Sequence, residues 1–273
     1  MQERRFDFIV DSHCHLNYKG LVEEQGAVID RARRAGVGCM LAINTKLSEY
    51  DDVRAIAENN SDVYATVGIH PHEAENEPDV AIEALLERAS HSKTVGIGET
   101  GLDYYYDNAP RDMQKVNFRN HIAAARTSGL PVIVHTRDAD DDCINMLQAE
   151  MAQGEFSGLI HCFTASQRLA DACIEMGMSI SISGIATFKS AKELQETVKT
   201  IPMDKLLVET DAPFLAPVPH RGKTCEPAFV MDTARFVADL KGVEFTDFTN
   251  ITTSNFFNLF NKIDDSFKPV ELA

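Results

Sequence analysis

The 273-residue sequence is short of positive charge: 26 Lys and Arg stand against 42 Asp and Glu, a formal net charge of −16. A surface of that sign repels phosphate backbones at long range and does not resemble the basic face of a general nucleic-acid binder. A phosphate-bearing substrate would need local attraction, from bound divalent cations and a few Arg or Lys side chains. Apolar runs are short as well. None approaches the roughly 18 residues of a membrane span, and the start Met1-Gln2-Glu3-Arg4-Arg5 carries no apolar signal core. The cysteines Cys14, Cys39, Cys143, Cys162, Cys173 and Cys225 form no Cys-x-x-Cys pair and no disulfide-dense pattern. Together these absences set the expectation of a soluble enzyme in a reducing, cytoplasmic setting, with no membrane and no obligate protein partner.

No Pro-, Gly- or Ser-rich linker and no low-complexity block divides the chain. One domain is expected, at a length close to the roughly 250 residues of a (β/α)₈ barrel, and 44% hydrophobic content is enough for a large core. Short apolar runs at 6–10, 38–43, 63–67, 94–97, 131–134, 158–160, 179–182 and 205–208 read as strands. Between and after them lie helical patterns at 22–35, 48–59, 80–89, 111–128, 139–151, 166–176, 191–200 and 226–240. Eight such units, with short β-branched strands, predict an α/β fold, a TIM-type (β/α)₈ barrel of parallel strands. An open doubly wound sheet would also alternate. It would be expected to carry a Gly-rich phosphate turn after its first strand, where this chain reads Asp11-Ser12-His13-Cys14-His15. The barrel domain is expected over 1–265, with a last helix at 245–261 packed outside the barrel and 266–273 as a loose tail.

Nearly every residue able to ligate a metal falls at the C-terminal end of a predicted strand, the rim from which barrel enzymes build their sites. His13 and His15 stand two apart, so an extended backbone points both imidazoles to one face. A lone His is more often a hydrogen-bonded core residue; a His-x-His at a strand end beside Asp11 reverses that preference. Glu99, in Gly98-Glu99-Thr100-Gly101-Leu102-Asp103, could merely cap a turn, but between the histidines it can bridge two metals about 3.5–4 Å apart. His135 ends the fifth strand and His161 the sixth. The eighth ends in Glu209-Thr210-Asp211, two carboxylates that would repel unless a cation or a shared proton keeps both. Asp211 is assigned to the metal, with Glu209 and Asp11 supporting the ligands from behind. Imidazoles mixed with carboxylates suit two divalent ions, Zn, Mn or Mg, without deciding among them.

Among substrate-facing candidates, His70 can contact a phosphate or assist the leaving group, and His72 can support it, although a purely structural His70 is the plain alternative. Arg137 can fork onto a phosphate. Arg221 and Lys223 lie on the loop after the eighth strand, where barrels often bind phosphate, or else on a solvated turn. His91 and His121 fall away from the rim and read as non-catalytic. The run Tyr104-Tyr105-Tyr106 can stack on bases or roof the barrel.

In order along the chain stand Asp-Ser-His-Cys-His-Leu, Gly-Ile-His-Pro-His, Gly-Glu-Thr-Gly-Leu-Asp-Tyr-Tyr, Val-Ile-Val-His-Thr-Arg-Asp-Ala, Ile-His-Cys-Phe-Thr, Ser-Gly and Val-Glu-Thr-Asp-Ala-Pro-Phe-Leu-Ala-Pro. Single blocks are weak, but their joint order is specific. The chain resembles the TatD-type metal-dependent deoxyribonucleases of the amidohydrolase superfamily from Asp11 to about Pro227. The resemblance implies a TIM barrel and metal-dependent hydrolysis of nucleic-acid phosphodiesters, commonly as a 3′→5′ exonuclease on single-stranded ends. It places the metal ligands on His13, His15, Glu99, His135, His161 and Asp211. Asp211 is then the candidate to take the proton of the attacking water, with His70 or Arg137 stabilising developing charge. Cys225 stands where such proteins often carry Asn before Glu-Pro, which puts the substrate loop in question.

Two other readings compete. On the same barrel, an amide, lactone or small phosphoester could be the substrate. Relatives of that kind often bridge their metals with a carboxylated Lys on the fourth strand, where Glu99 stands here. A non-enzymatic scaffold for metal or nucleic acid is opposed by the six-ligand set and by the acidic surface.

Overall fold

Runs of Val, Ile and Leu flanked by turn residues form eight short strands whose side chains are buried on both faces. They are β1 (Ile9–Cys14), β2 (Val37–Ala42), β3 (Val63–Val67), β4 (Thr94–Asp103), β5 (Val132–Arg137), β6 (Gly158–Ile160), β7 (Ser179–Ile182) and β8 (Leu206–Val208). The computed structural model describes residues 6–78, 80–264, 267 and 270. Every neighbouring pair is parallel and the strands follow sequence order, as consecutive right-handed crossovers require. A bridge from Cys14 to Ala212 brings the two ends together, supported by the His15 N–H on the Ala212 carbonyl at 2.8 Å. The result is a nearly closed (β/α)₈ barrel, as the sequence predicts.

The connecting helices are α1 (Gln25–Arg34), α2 (Tyr50–Asn59), α3 (Ile82–Ala89), α4 (Arg111–Ser128), α5 (Asp140–Met151), α6 (Gln167–Glu175), α7 (Lys192–Thr200) and α8 (Val230–Lys241). Their apolar stripes (Val28, Ile29 and Ala32 on α1, for example) face the outward strand residues in the larger of two cores. Among the described residues, no helix is long and apolar enough to cross a membrane.

The second core fills the barrel itself. Val10, Leu41, Val95, Ile133 and Leu207 point inward and meet Phe256, Phe260 and Ile263, the two phenylalanines belonging to α9 (Phe245–Leu259) and its end. The sequence pattern sets this helix outside the barrel. Instead it closes the N-terminal end, because its buried aromatic face finds unfilled apolar space there. Each such phenylalanine contributes roughly 1.5–3 kcal/mol. At the same end three lysines tie helix-to-strand turns together. Lys262 Nζ donates to the carbonyls of Ala89, His91 and Thr94 at 2.7, 2.7 and 2.8 Å. Lys93 does the same for Asn60, Ser61 and Val63, and Lys241 for Val198, Lys199 and Ile201. A cation there satisfies carbonyls left over at helix C-termini and complements their dipoles. The expected tail at 266–273 lies largely outside the described residues; Phe267 packs on Phe8, Tyr64 and Phe257.

Candidate metal centre

Two strands break register where they enter the site. On β1, Asp11 pairs with Met40 but Cys14 with Ala42; on β4, Ile97 pairs with Val132 but Thr100 with Val134. Each leaves one extra residue on the inner strand, the bulge that re-aims side chains beside active sites. The bulges release His13 and Glu99 toward the barrel axis. At Gly98, φ is +137° and a Cβ would lie 2.6 Å from the Ile133 carbonyl oxygen, so only glycine fits beside Glu99. Gly101, at φ +139°, is likewise pressed against the His135 carbonyl. Cys162 and Asp211 take left-handed backbone angles, φ 43° and 57°, at a cost of roughly 1–2 kcal/mol each. Tight partners hold them there: the Cys162 N–H donates to Glu209 Oε1 at 2.8 Å, and the Asp211 N–H to the His13 carbonyl at 2.9 Å.

Glu99 is the hub, and its two oxygens face different partners. Oε2 lies 3.3 Å from His13 Nε2 and 3.9 Å from His15 Nε2. Asp211 Oδ1 completes that side, 3.3 Å from His15 Nε2 and 3.6 Å from His13 Nε2. Oε1 lies 2.8 Å from His161 Nε2, 3.1 Å from His135 Nδ1 and 3.3 Å from His70 Nε2. All six expected ligands therefore converge, and three groups have donor atoms compact enough for a single ion: His13, Glu99 and His161; His13, His15 and Asp211; and His70, Glu99 and His135.

Behind the ligands the two sides differ. Glu209 Oε1 sits 3.3 Å from His161 Nδ1, and Asp103 Oδ2 sits 3.1 Å from His135 Nε2. These carboxylates fix ring orientation and make the facing nitrogens more basic. Asp103 also accepts from His72 Nε2 at 2.9 Å and from the backbone N–H groups of Tyr105 and Tyr106 at 3.1 and 2.8 Å. The sequence reading assigns it no role. The signal was there, since Glu99, Gly101 and Asp103 alternate along one extended strand, but the glycines read as a turn that ended β4 at Ile97. His13 Nδ1 and His15 Nδ1, by contrast, are buried with no hydrogen-bond partner among the described residues. Asp11 acts one step further back, accepting from the Thr210 N–H and hydroxyl at 2.9 and 2.6 Å, and so holds the turn that presents Asp211. Burial pushes its carboxyl up to about 8 despite those bonds.

The electrostatics favour cations in this cluster. Burial raises the Glu99 carboxyl, but His161, His70, His13 and His135 outweigh it and hold the group well below its ordinary range. Burial lowers His161, yet Glu99 and Glu209 push it well above an ordinary imidazole. His13 is lowered by burial and by the neighbouring His161. His13 Nε2 and His15 Nε2 stand 3.3 Å apart, too close for two bare lone pairs unless a proton or a cation lies between them. Divalent cations would take the place of such protons, so the donor set fits metal binding. His70 is different. The His72 N–H donates to its Nδ1 at 3.1 Å, so the neutral ring carries its proton on Nε2, and burial lowers the ring to about 4.

A cleft of about 990 Å³ opens over the cluster, with His70, His72, Tyr105, Tyr106, Arg137 and Phe214 in its walls. Arg137 stacks over Tyr105 and Tyr106, 4.2 and 4.9 Å from the ring centroids. Tyr104 turns away, its hydroxyl donating to Asp142 Oδ2 at 2.6 Å. Arg221 and Lys223 are not among the residues lining the cleft; the Arg221 guanidinium lies over the Phe188 ring at 4.4 Å. Cys225 is buried behind the Asp211 turn, its N–H on the Pro213 carbonyl at 3.0 Å. His91 pairs with Glu58 far from the rim. His121 is buried and accepts the Ile69 N–H at 3.0 Å, beneath His70.

A parallel barrel carrying these histidines and carboxylates at its C-terminal rim is a metal-dependent hydrolase. The candidate ligands come from five strands, and all but the buried His13 line the cleft. The chain belongs to the TatD family: the family described as TatD related DNase matches residues 10–261. It is 41% identical over 257 residues to the uncharacterized metal-dependent hydrolase YcfH of Escherichia coli (strain K12), covering 93% of this chain and 96% of that protein. It is 39% identical over 252 residues to the uncharacterized metal-dependent hydrolase YabD of Bacillus subtilis (strain 168), covering 92% and 98%. The crystal structure of YjjV, a TatD homolog from Escherichia coli K12, matches with a TM-score of 0.87 at 27% identity, over 93% of this chain and 98% of that one.

Proposed function

We propose that the protein hydrolyses phosphodiester bonds at single-stranded ends of nucleic acid, as a 3′→5′ exodeoxyribonuclease working with two divalent cations. The observation that carries this reading is the split of Glu99, with each carboxylate oxygen facing its own imidazoles. His13, His15 and Asp211 would hold one ion with Oε2, and His135 and His161 the other with Oε1. Such ions, when bound, acidify water near neutral pH and clamp the attacking and leaving oxygens of an in-line displacement.

The chain's own groups supply the rest. Asp211 takes the proton of the attacking water. His70, neutral and with its proton on Nε2, donates to a phosphoryl oxygen as charge develops there. Arg137 at the cleft wall pairs with phosphate, and the Tyr105 and Tyr106 rings offer faces to a base. His72 keeps His70 in its donor form through its backbone N–H.

The test is cleavage of a 3′-labelled single-stranded oligonucleotide by metal-stripped protein, with Mg²⁺, Mn²⁺ or Zn²⁺ added back and His135→Ala as control. Metal-restored cleavage, absent from the control, is expected. No cleavage by protein with two ions bound would move the substrate to a small ester, lactone or amide.

A further inference from the structure

The aromatic side chains of the cleft form two separate exposed platforms, one on each side of Glu99. Phe214 is 49% exposed and follows Asp211 in a turn closed by its N–H on the Asp211 carbonyl at 2.9 Å. Its ring centroid lies 6.2 Å from His15 and 6.1 Å from Tyr18, so it belongs to the Oε2 side. Tyr105 and Tyr106 are 58% and 53% exposed and belong to the Oε1 side: Asp103, which backs His135, holds their N–H groups, and Tyr106 lies 5.4 Å from His72. Large apolar side chains left open on both walls of one cleft mark a surface built to be covered.

The charge of the cleft is as informative. Among the described residues that line it, Arg137 is the sole Lys or Arg, against Glu73, Glu99, Asp138, Asp140, Glu193 and Asp211. Arg137 itself is stacked into the tyrosine platform. A protein that follows a nucleic-acid backbone places cations along it, and this cleft does not.

Resting on the phosphodiesterase reading, we propose that the cleft recognises two adjacent nucleobases. One stacks on Phe214 and the other on the Tyr105–Tyr106–Arg137 face, with the phosphate between them over Glu99. Stacking, rather than backbone charge, supplies most of the affinity. Every base has a π-face, so recognition is tolerant of sequence. Paired bases stack on one another and cannot be splayed onto two rings, so the substrate end is single-stranded. Binding depends only weakly on salt, with a log–log slope of about −0.7 for one backbone contact in place of the steep slopes of backbone readers.

The test uses dithymidine joined by an uncharged methylphosphonate, which is not hydrolysed, and its two abasic analogues lacking the 5′ or the 3′ base. Each is titrated into the protein by calorimetry. Loss of either base is expected to weaken binding about 10-fold, within the range for one stacked base. Phe214→Ala abolishes the penalty for one missing base only, Tyr105→Ala/Tyr106→Ala abolishes it for the other, and Phe214→Trp retains it. Equal or undetectable binding of intact and abasic compounds overturns the two-platform proposal. Cleavage of the natural phosphodiester counterparts is followed in parallel. Base-dependent binding without cleavage would sink the nuclease reading alone, whereas equal cleavage of intact and abasic compounds would sink the platforms alone.

Discussion

At the N-terminal end of the barrel, Phe256, Phe260 and Ile263 close over Val10, Leu41 and Leu207, and three lysines each satisfy three backbone carbonyls. At the other end, the same circle of strands holds four imidazoles and two carboxylates, and His13 Nδ1, His15 Nδ1 and Glu209 Oε2 are buried without a hydrogen-bond partner among the described residues. The first end removes apolar surface from water and leaves its polar groups paired. The second gathers buried groups of like chemistry that repel or desolvate one another, an arrangement suited to cations. The contrast shows where this fold keeps its stability and where it spends some of it, as active sites generally do. A substitution should therefore affect folding or chemistry according to the end it strikes.

The largest effect is expected from Glu99→Gln. Losing one charged oxygen of the hub should reduce turnover to background and weaken both ions together, as read by metal titration. The thermal stability of the metal-free protein should hold or rise. Full metal content with substantial activity would remove Glu99 from its bridging role. Next comes Phe260→Ala at the opposite end, expected to cost about 3–5 kcal/mol in denaturant unfolding. The kcat and KM of the folded fraction should stay at their starting values; a matching loss of kcat would break the division between the two ends. Smaller still, Asp103→Asn and Glu209→Gln should each lower metal affinity or activity about 10–100-fold with little change in unfolding free energy. The two should part company in one respect. Asp103 also carries the Tyr105–Tyr106 turn, so its variant should raise KM for an oligonucleotide while Glu209→Gln leaves KM alone.

Much of this was legible in the sequence, for physical reasons. Strands β3, β6 and β7 and helix α4 carry the bounds expected of them, because their apolar runs stop where turn residues start. The six ligands were legible because strand ends and the two-residue spacing of an extended chain leave few places to point. β4 was read short, since Gly98 and Gly101 look like punctuation when they are in fact the residues that allow a bulge and a close approach to β5. Asp103 was hidden by the same misreading. The site of α9 depends on which cavity its aromatic face fills, a long-range matter that periodicity does not encode. Arg221 and Lys223 are read from their place on the loop after the eighth strand and from their charge, and neither foresees that Arg221 lies over Phe188.

Glu99 and Asp103 lie on one strand, and Asp103 joins His135 to the tyrosine turn through its bonds to His135 Nε2 and to the N–H groups of Tyr105 and Tyr106. The candidate metal ligands stand at one end of this connection and the cleft wall at the other. A molecule that presses on the tyrosines is therefore expected to be felt at His135, through Asp103. With cobalt in place of the native ion, occupancy of the wall would show as a change of colour before any bond is broken.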